Sequence, residues 1–210
     1  MKQLNELHNN LSTSGERMNI RSVCVYCGSS NRAAEEYKQA ARDCGRLLAE
    51  NGIRLVYGGG ASGLMGIVAD GALAAGGLVT GIIPYHLKRR EVGHDGVTEL
   101  LTVDSMHTRK RLMADQADAF VVLPGGFGTM DETFEVLTWK QLDLHDLPIV
   151  LVNINGYWDK FLALVDDIIE QKFAASTNRQ LFTVVKRVED ILPALAKAPL
   201  PMVDVQQGQL

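Results

Sequence analysis

Seven short, almost purely apolar runs punctuate this chain, at 23–26, 54–57, 78–83, 100–103, 119–123, 149–152 and 182–185. Val, Ile and Leu dominate them, and most lack the polar–apolar alternation of a strand with one wet face. A strand that is apolar on both sides must be covered on both sides, which places it in a parallel sheet with helices above and below. The intervening segments supply such helices: their periodicity predicts them near 33–51, 64–76, 106–117, 130–143 and 157–172, with a short last one at 189–197. This alternation predicts an α/β fold, a Rossmann-like doubly wound parallel sheet of about seven strands with helices on both faces.

A chain of 210 residues is long enough for one such core, and no linker or repeat interrupts it, so a single domain is expected over 19–198. Residues 1–18, MKQLNELHNNLSTSGERM, are polar and lack the apolar middle of a signal peptide; they predict a flexible extension, and 199–210 a C-terminal tail. The net charge of −4, without a basic block, argues against a nucleic-acid partner. No apolar run reaches the roughly 18–20 residues a membrane span needs. A soluble, cytoplasmic protein is expected.

The three cysteines fit that compartment. Cys24 and Cys27 have the C-x-x-C spelling of redox and zinc sites, yet they lie in a run that reads as a strand. Side chains three apart on a strand face opposite sides, so a shared disulfide or metal is not expected. His86, His94, His107 and His145 lack ligand spacing, and no metal site is expected either.

In a doubly wound sheet, ligands bind beyond the carboxyl ends of the strands. The first run is followed by Cys27-Gly28-Ser29-Ser30, the second by Gly58-Gly59-Gly60-Ala61-Ser62-Gly63, and the fifth by Pro124-Gly125-Gly126-Phe127-Gly128-Thr129. Three small-residue loops at three strand ends predict one backbone-lined rim, with Ser29 and Gly59 among its lining positions. Glycine admits a ligand close to the backbone, and a helix starting at the loop offers free N–H groups and a positive dipole end. Together these predict a phosphate site at 125–129, where the Thr129 hydroxyl could cap the helix or bond a phosphate oxygen. The spelling is neither a Walker A loop nor a dinucleotide fingerprint: the Gly-Lys-[Ser/Thr] ending is absent, and no acid stands about 20 residues beyond the second loop.

Just behind the glycines, Glu132 and Glu135 share one face of the predicted helix. Two like charges there call for a cation opposite, and Arg109-Lys110-Arg111 supplies candidates at the start of the helix after the fourth run. A carboxylate close to a bound phosphate, with an arginine opposite, suits hydrolysis of a phosphorylated sugar derivative. Glycosidic cleavage passes through a cation-like sugar, which an acidic pair can stabilise while one member activates water.

Residues 124–132 match PGGxGTxxE, and Met106-His107-Thr108-Arg109-Lys110 matches MHxRK. With CGSS after the first run and YGGG-x-x-GLMG after the second, the sequence resembles the LOG ("Lonely Guy") family of cytokinin riboside 5′-monophosphate phosphoribohydrolases, over residues 20–185. The resemblance implies hydrolysis of AMP or N6-prenylated AMP to the free base and ribose 5-phosphate, with no cofactor. It implies Arg109 and Glu132 as the catalytic pair. Gly126, Phe127, Gly128 and Thr129 would bind phosphate, Lys110 would lie beside the nucleotide, and Met106, Gly125, Met130 and Asp131 would also contact the substrate. Glu91 and Thr138 align with substrate contacts, Glu135 with a ribose contact or a partner of Glu132, and a homodimer is implied. The loop 89–96 departs from relatives, which bears on base preference.

Members are often labelled lysine decarboxylase-like. That chemistry needs a Schiff-base lysine and a carboxylate for the cofactor ring, and neither Lys110 nor Lys140 lies in a recognisable cofactor loop. The competing reading is a nucleotide carrier of the same fold. A pure carrier has no use for a carboxylate beside an anion, whereas a hydrolase does.

Overall fold

The computed structural model describes residues 20–88 and 93–197, so the expected extension, the tail and Glu91 lie outside the described residues. Strands and helices alternate as β1 (Ser22–Tyr26), α1 (Glu35–Glu50), β2 (Arg54–Tyr57), α2 (Gly63–Ala74), β3 (Val79–Pro84), α3 (Tyr85–Lys88), β4 (Glu99–Val103), α4 (Met106–Asp115), β5 (Ala119–Val122), α5 (Phe127–Gln141), β6 (Ile149–Val152), α6 (Asp159–Glu170), β7 (Thr183–Val185) and α7 (Ile191–Lys197). All seven strands join one parallel sheet in the order β4-β3-β2-β1-β5-β6-β7. The order reverses between β1 and β5, which is where such a sheet opens a crevice.

Each face of the sheet carries its own core. On one, α1, α2 and α7 cover Val23, Val25, Leu55, Val121 and Val150; on the other, α4, α5 and α6 cover Cys24, Val56, Phe120, Val122 and Leu151. Cys24 and Cys27 fall in different cores, and the three cysteines are free thiols. Helices α1 and α2 approach backbone to backbone through Gly45 and Gly71. A methyl group at those positions would lie 2.0 Å from the Val68 carbonyl oxygen and 2.4 Å from that of Arg42.

Four features differ from the sequence expectation. Strand β4 is an edge, with Glu99 exposed and only Val103 fully buried, although its apolar run looks like the others. Helix α5 starts at Phe127, three residues early, because its flanking glycines enter the helix mouth rather than a loop. Helix α6 starts at Asp159, after a turn in which Asn155 and Gly156 take φ of 50° and 73°. The four-residue helix α3 is too short to show a period in sequence.

Candidate functional site

The crevice at the β1–β5 reversal is closed by backbone contacts among three loops. Gly28 N–H donates to the Pro124 carbonyl at 3.1 Å, and Leu64 N–H to the Gly28 carbonyl at 2.8 Å. Gly63 takes φ +59° and donates to Asn31 Oδ1 at 2.7 Å; any side chain on it would run into the Ser29 backbone. The segments after β1, β2 and β5 therefore form one rim, with Ser29 exposed on it and Gly59 buried beneath it. A fourth strand-end segment joins: Gly93 bridges to Gly60, and His94 N–H donates to the Gly59 carbonyl at 3.0 Å. The His94 ring bonds Asp70 at 2.9 Å and accepts from Gly96 N–H.

Helix α5 opens onto this rim. Its N-cap is Gly126, so the cap is a bare backbone rather than the Thr129 hydroxyl. Thr129 is 3% exposed and its side chain fills the space above Gly125, where a methyl group would meet Oγ1 at 2.1 Å. Thr133 Oγ1 donates to the Thr129 carbonyl at 2.6 Å, tightening the first turns. Gly126, Phe127 and Gly128 are exposed, and Phe127 stands 95% free. The first amides of a fifteen-residue helix, with its positive dipole end, thus face an open, side-chain-poor mouth. Met130 is half-buried against the core below.

Helix α4 delivers the cations. Ser105 caps it, its Oγ accepting from Thr108 N–H at 3.1 Å. Arg109 is 5% exposed; Nη2 donates to the Gly58 carbonyl at 2.8 Å, Nη1 lies 3.7 Å from Met106 Sδ, and Nε is buried with no hydrogen-bond partner. A buried guanidinium nitrogen without a hydrogen-bond partner is costly, and a strongly accepting ligand would satisfy it. Burial pushes the Cys24 and Cys27 thiols well above their ordinary values; the Glu132 charge adds to this, and Arg109 opposes it. The Arg109 and Glu132 charges therefore act on the same strand end.

Lys110 Nζ lies 3.1 Å from Asp131 Oδ2 and 3.1 Å from Glu135 Oε1, joining α4 to α5. Burial would lower its affinity for a proton, but hydrogen bonds and charge from Glu135 and Asp131 outweigh that, and the ammonium is held above the usual lysine range. Glu135 is thus an ion-pair partner of Lys110. Lys140 lies elsewhere, its Nζ donating to the Leu147 carbonyl at 2.8 Å.

Thr138 does not join the rim of its own chain. It lies twelve residues beyond Gly126, about 18 Å along the helix axis at 1.5 Å per residue. It lines an open apolar groove with Phe134, Leu137, Val165, Ile168 and Phe173. Two further residues outside the motifs reach the rim: Asn31, which holds Gly63, and Tyr157, whose hydroxyl donates to the Gly125 carbonyl at 2.5 Å. Tertiary packing alone brings Tyr157 there, and no spacing in the sequence signals it. Among the described residues, no cluster of three or more His, Cys, Asp or Glu could hold a metal ion.

The family model described as "Possible lysine decarboxylase" matches residues 65–195. The cytokinin riboside 5′-monophosphate phosphoribohydrolase LOG of Oryza sativa subsp. japonica is 42% identical over 187 residues, covering 85% of this chain and 77% of its own. A protein of the same description from Arabidopsis thaliana is 41% identical over 185 residues, covering 85% and 86%. Among solved structures, the molybdenum cofactor carrier protein of Chlamydomonas reinhardtii aligns with a TM-score of 0.62 at 23% identity, over 82% of this chain and 94% of its own. The molybdenum cofactor binding protein of Rippkaea orientalis gives 0.64 at 21%, over 84% and 95%. At that identity the likeness is one of fold.

Proposed function

This chain belongs to the family of the cytokinin riboside 5′-monophosphate phosphoribohydrolases, and we propose that it hydrolyses the N-glycosidic bond of a nucleoside 5′-monophosphate, AMP or N6-prenylated AMP. The products are the free base and ribose 5-phosphate; where the base is prenylated it is an active cytokinin. The observation that carries this reading is Arg109, buried with an unpartnered Nε at the foot of a glycine-lined rim.

The phosphate binds at the mouth of α5, on the backbone of Gly125 to Thr129, and holds the ribose in place, so that remote binding energy becomes orientation. Glu132 is the catalytic carboxylate. It faces the positive charge that develops on the sugar as the bond from C1′ to the base breaks, and it takes a proton from the water that attacks C1′, while the base leaves with the bonding electron pair and takes up a proton from solvent. Arg109 holds the ribose and offsets the repulsion between Glu132 and the phosphate. Lys110, with Asp131 and Glu135, fixes α4 to α5 and so sets the spacing of that pair. Ser29, Gly59, Met106 and Met130 line the nucleotide.

The same chain acts as a homodimer. Phe127, Asp131, Phe134, Thr138 and Leu142 form one exposed stripe along α5, continuous with the apolar groove against α6 and with Phe173, which is 86% exposed. An isologous pair placing two α5 helices antiparallel would cover that stripe. Its two-fold axis near Glu132 would carry Thr138 of each copy to the α5 mouth of the other. A Phe173→Asp variant, read by light scattering, should then be monomeric; an unchanged dimer would remove this arrangement. Three free thiols suit a reducing compartment, in keeping with the cytoplasm.

Chromatography of AMP, N6-isopentenyl-AMP and adenosine after incubation with the protein tests the reaction. Released base and ribose 5-phosphate from the nucleotides, and not from adenosine, is the expected result. Nucleotides that bind and remain intact would favour the carrier instead.

A further inference from the structure

Tyr157 is mounted with more rigidity than a half-exposed residue in a connecting turn requires. Its N–H donates to the Ile154 carbonyl at 3.0 Å. Its ring lies edge-on between Tyr37 of α1, 5.4 Å away, and the fully buried Trp158, 5.0 Å away. Asn153, 7% exposed, anchors the turn behind it, accepting from Trp158 N–H and donating to Asp159 Oδ1, both at 2.7 Å. All of this delivers one hydroxyl to one acceptor, the carbonyl of Gly125.

That carbonyl belongs to the peptide joining Gly125 to Gly126, the cap of α5. In a trans peptide the C=O and the next N–H point to opposite sides, so turning the Gly125 oxygen to Tyr157 turns the Gly126 N–H away from it. A peptide between two glycines has no Cβ to oppose a flip. The flipped form would present a carbonyl oxygen where a phosphate needs a donor. We propose that Tyr157 is a positioning residue that locks the 125–126 peptide with its N–H toward the phosphate, so the anion site is formed before substrate arrives. This rests on the phosphate-site reading above, and it assigns a role to a side chain that neither motif contains. Preorganisation of this kind strengthens binding by removing an ordering step, not by adding a contact to the ligand.

Tyr157→Phe removes the hydroxyl and keeps the ring between Tyr37 and Trp158, so the turn stays packed. Calorimetric titration with ribose 5-phosphate and with adenine, beside steady-state kinetics on AMP, separates the alternatives. The lock predicts ribose 5-phosphate affinity and 1/KM for AMP each falling about fivefold to tenfold, with adenine affinity and kcat within about twofold. Equal weakening for adenine, or a fall in kcat alone, would assign Tyr157 a merely structural or a chemical role and overturn the lock. Unchanged ribose 5-phosphate affinity would overturn the lock and leave the phosphate site standing. Wild-type protein that fails to bind ribose 5-phosphate would overturn the phosphate site, and the lock with it.

Discussion

Replacing Gly58 by alanine puts a methyl group 1.9 Å from Arg109 Nη2 and 3.2 Å from Met65 Sδ. The φ of Gly58 lies outside the left-handed region, so the backbone accepts alanine and the guanidinium is what must yield. Restoring an ordinary contact of about 3.4 Å moves it by about 1.5 Å, which breaks the 2.8 Å bond to the Gly58 carbonyl. Losing a hydrogen bond to a charged group costs about 1.5–3 kcal/mol, partly offset by the roughly 0.4–1 kcal/mol that alanine gains through the unfolded chain. A net loss near 1–2 kcal/mol lowers Tm by about 2–8 °C for a chain of this size. The effect on catalysis should be larger, because a 1 Å misplacement of a group that orients substrate costs about a hundredfold. Steady-state hydrolysis of AMP, with thermal melts as the folding control, should show kcat/KM down about a hundredfold in a folded protein. A folded Gly58→Ala variant within about threefold of wild type would refute the role given to Arg109.

Removing Lys110 tests the α4–α5 link. Its ammonium is largely buried and its two carboxylates are partly exposed, so Lys110→Gln should cost about 1–2 kcal/mol by urea unfolding at pH 7. Because its folded proton affinity is raised, that contribution is complete below the ordinary lysine value near 10.4 and fades as pH climbs past the folded value; a difference that persists undiminished well above that range would contradict it. Burial pushes Cys44 up to about 12 and Cys24 and Cys27 well up as well, so the native protein should resist thiol alkylation at pH 8 and react fully only when unfolded. Fast labelling of the native protein would argue against these packed strands. Asn153→Ala leaves the buried Trp158 N–H unpaired and should cost about 2–3 kcal/mol, read as a Tm lowered by about 4–12 °C.

Much of the molecule was legible because its strands are buried on both faces. Runs such as 119–123 and 149–152 can be little else, and the loops that follow the first, second and fifth runs do meet at one rim. Of the cations expected near Glu132 and Glu135, Lys110 bonds Glu135 and Asp131. What escaped was set by tertiary context. An edge strand and an inner strand carry similar apolar runs, so β4 gave no sign of its place. Gly126 and Gly128 have loop-like residue types, yet the structure takes them in at the cap and first turn of α5. Periodicity puts Tyr157 in the helix expected over 157–172, and only the fold brings its hydroxyl to Gly125. Thr138 aligns with a family contact, and in its own chain it lies about 18 Å along α5 from Gly126.

Under the proposed function, Glu132 is the group that would make this site a hydrolase and not a carrier. Glu132→Gln keeps the side chain's size and removes its charge, so AMP affinity by calorimetric titration and base release by chromatography can be read on one folded protein. Affinity should be kept or improved, because a charge beside the phosphate is gone, with turnover down by about 10²–10⁴-fold. Turnover within about tenfold of wild type in a variant that still binds AMP would contradict this assignment.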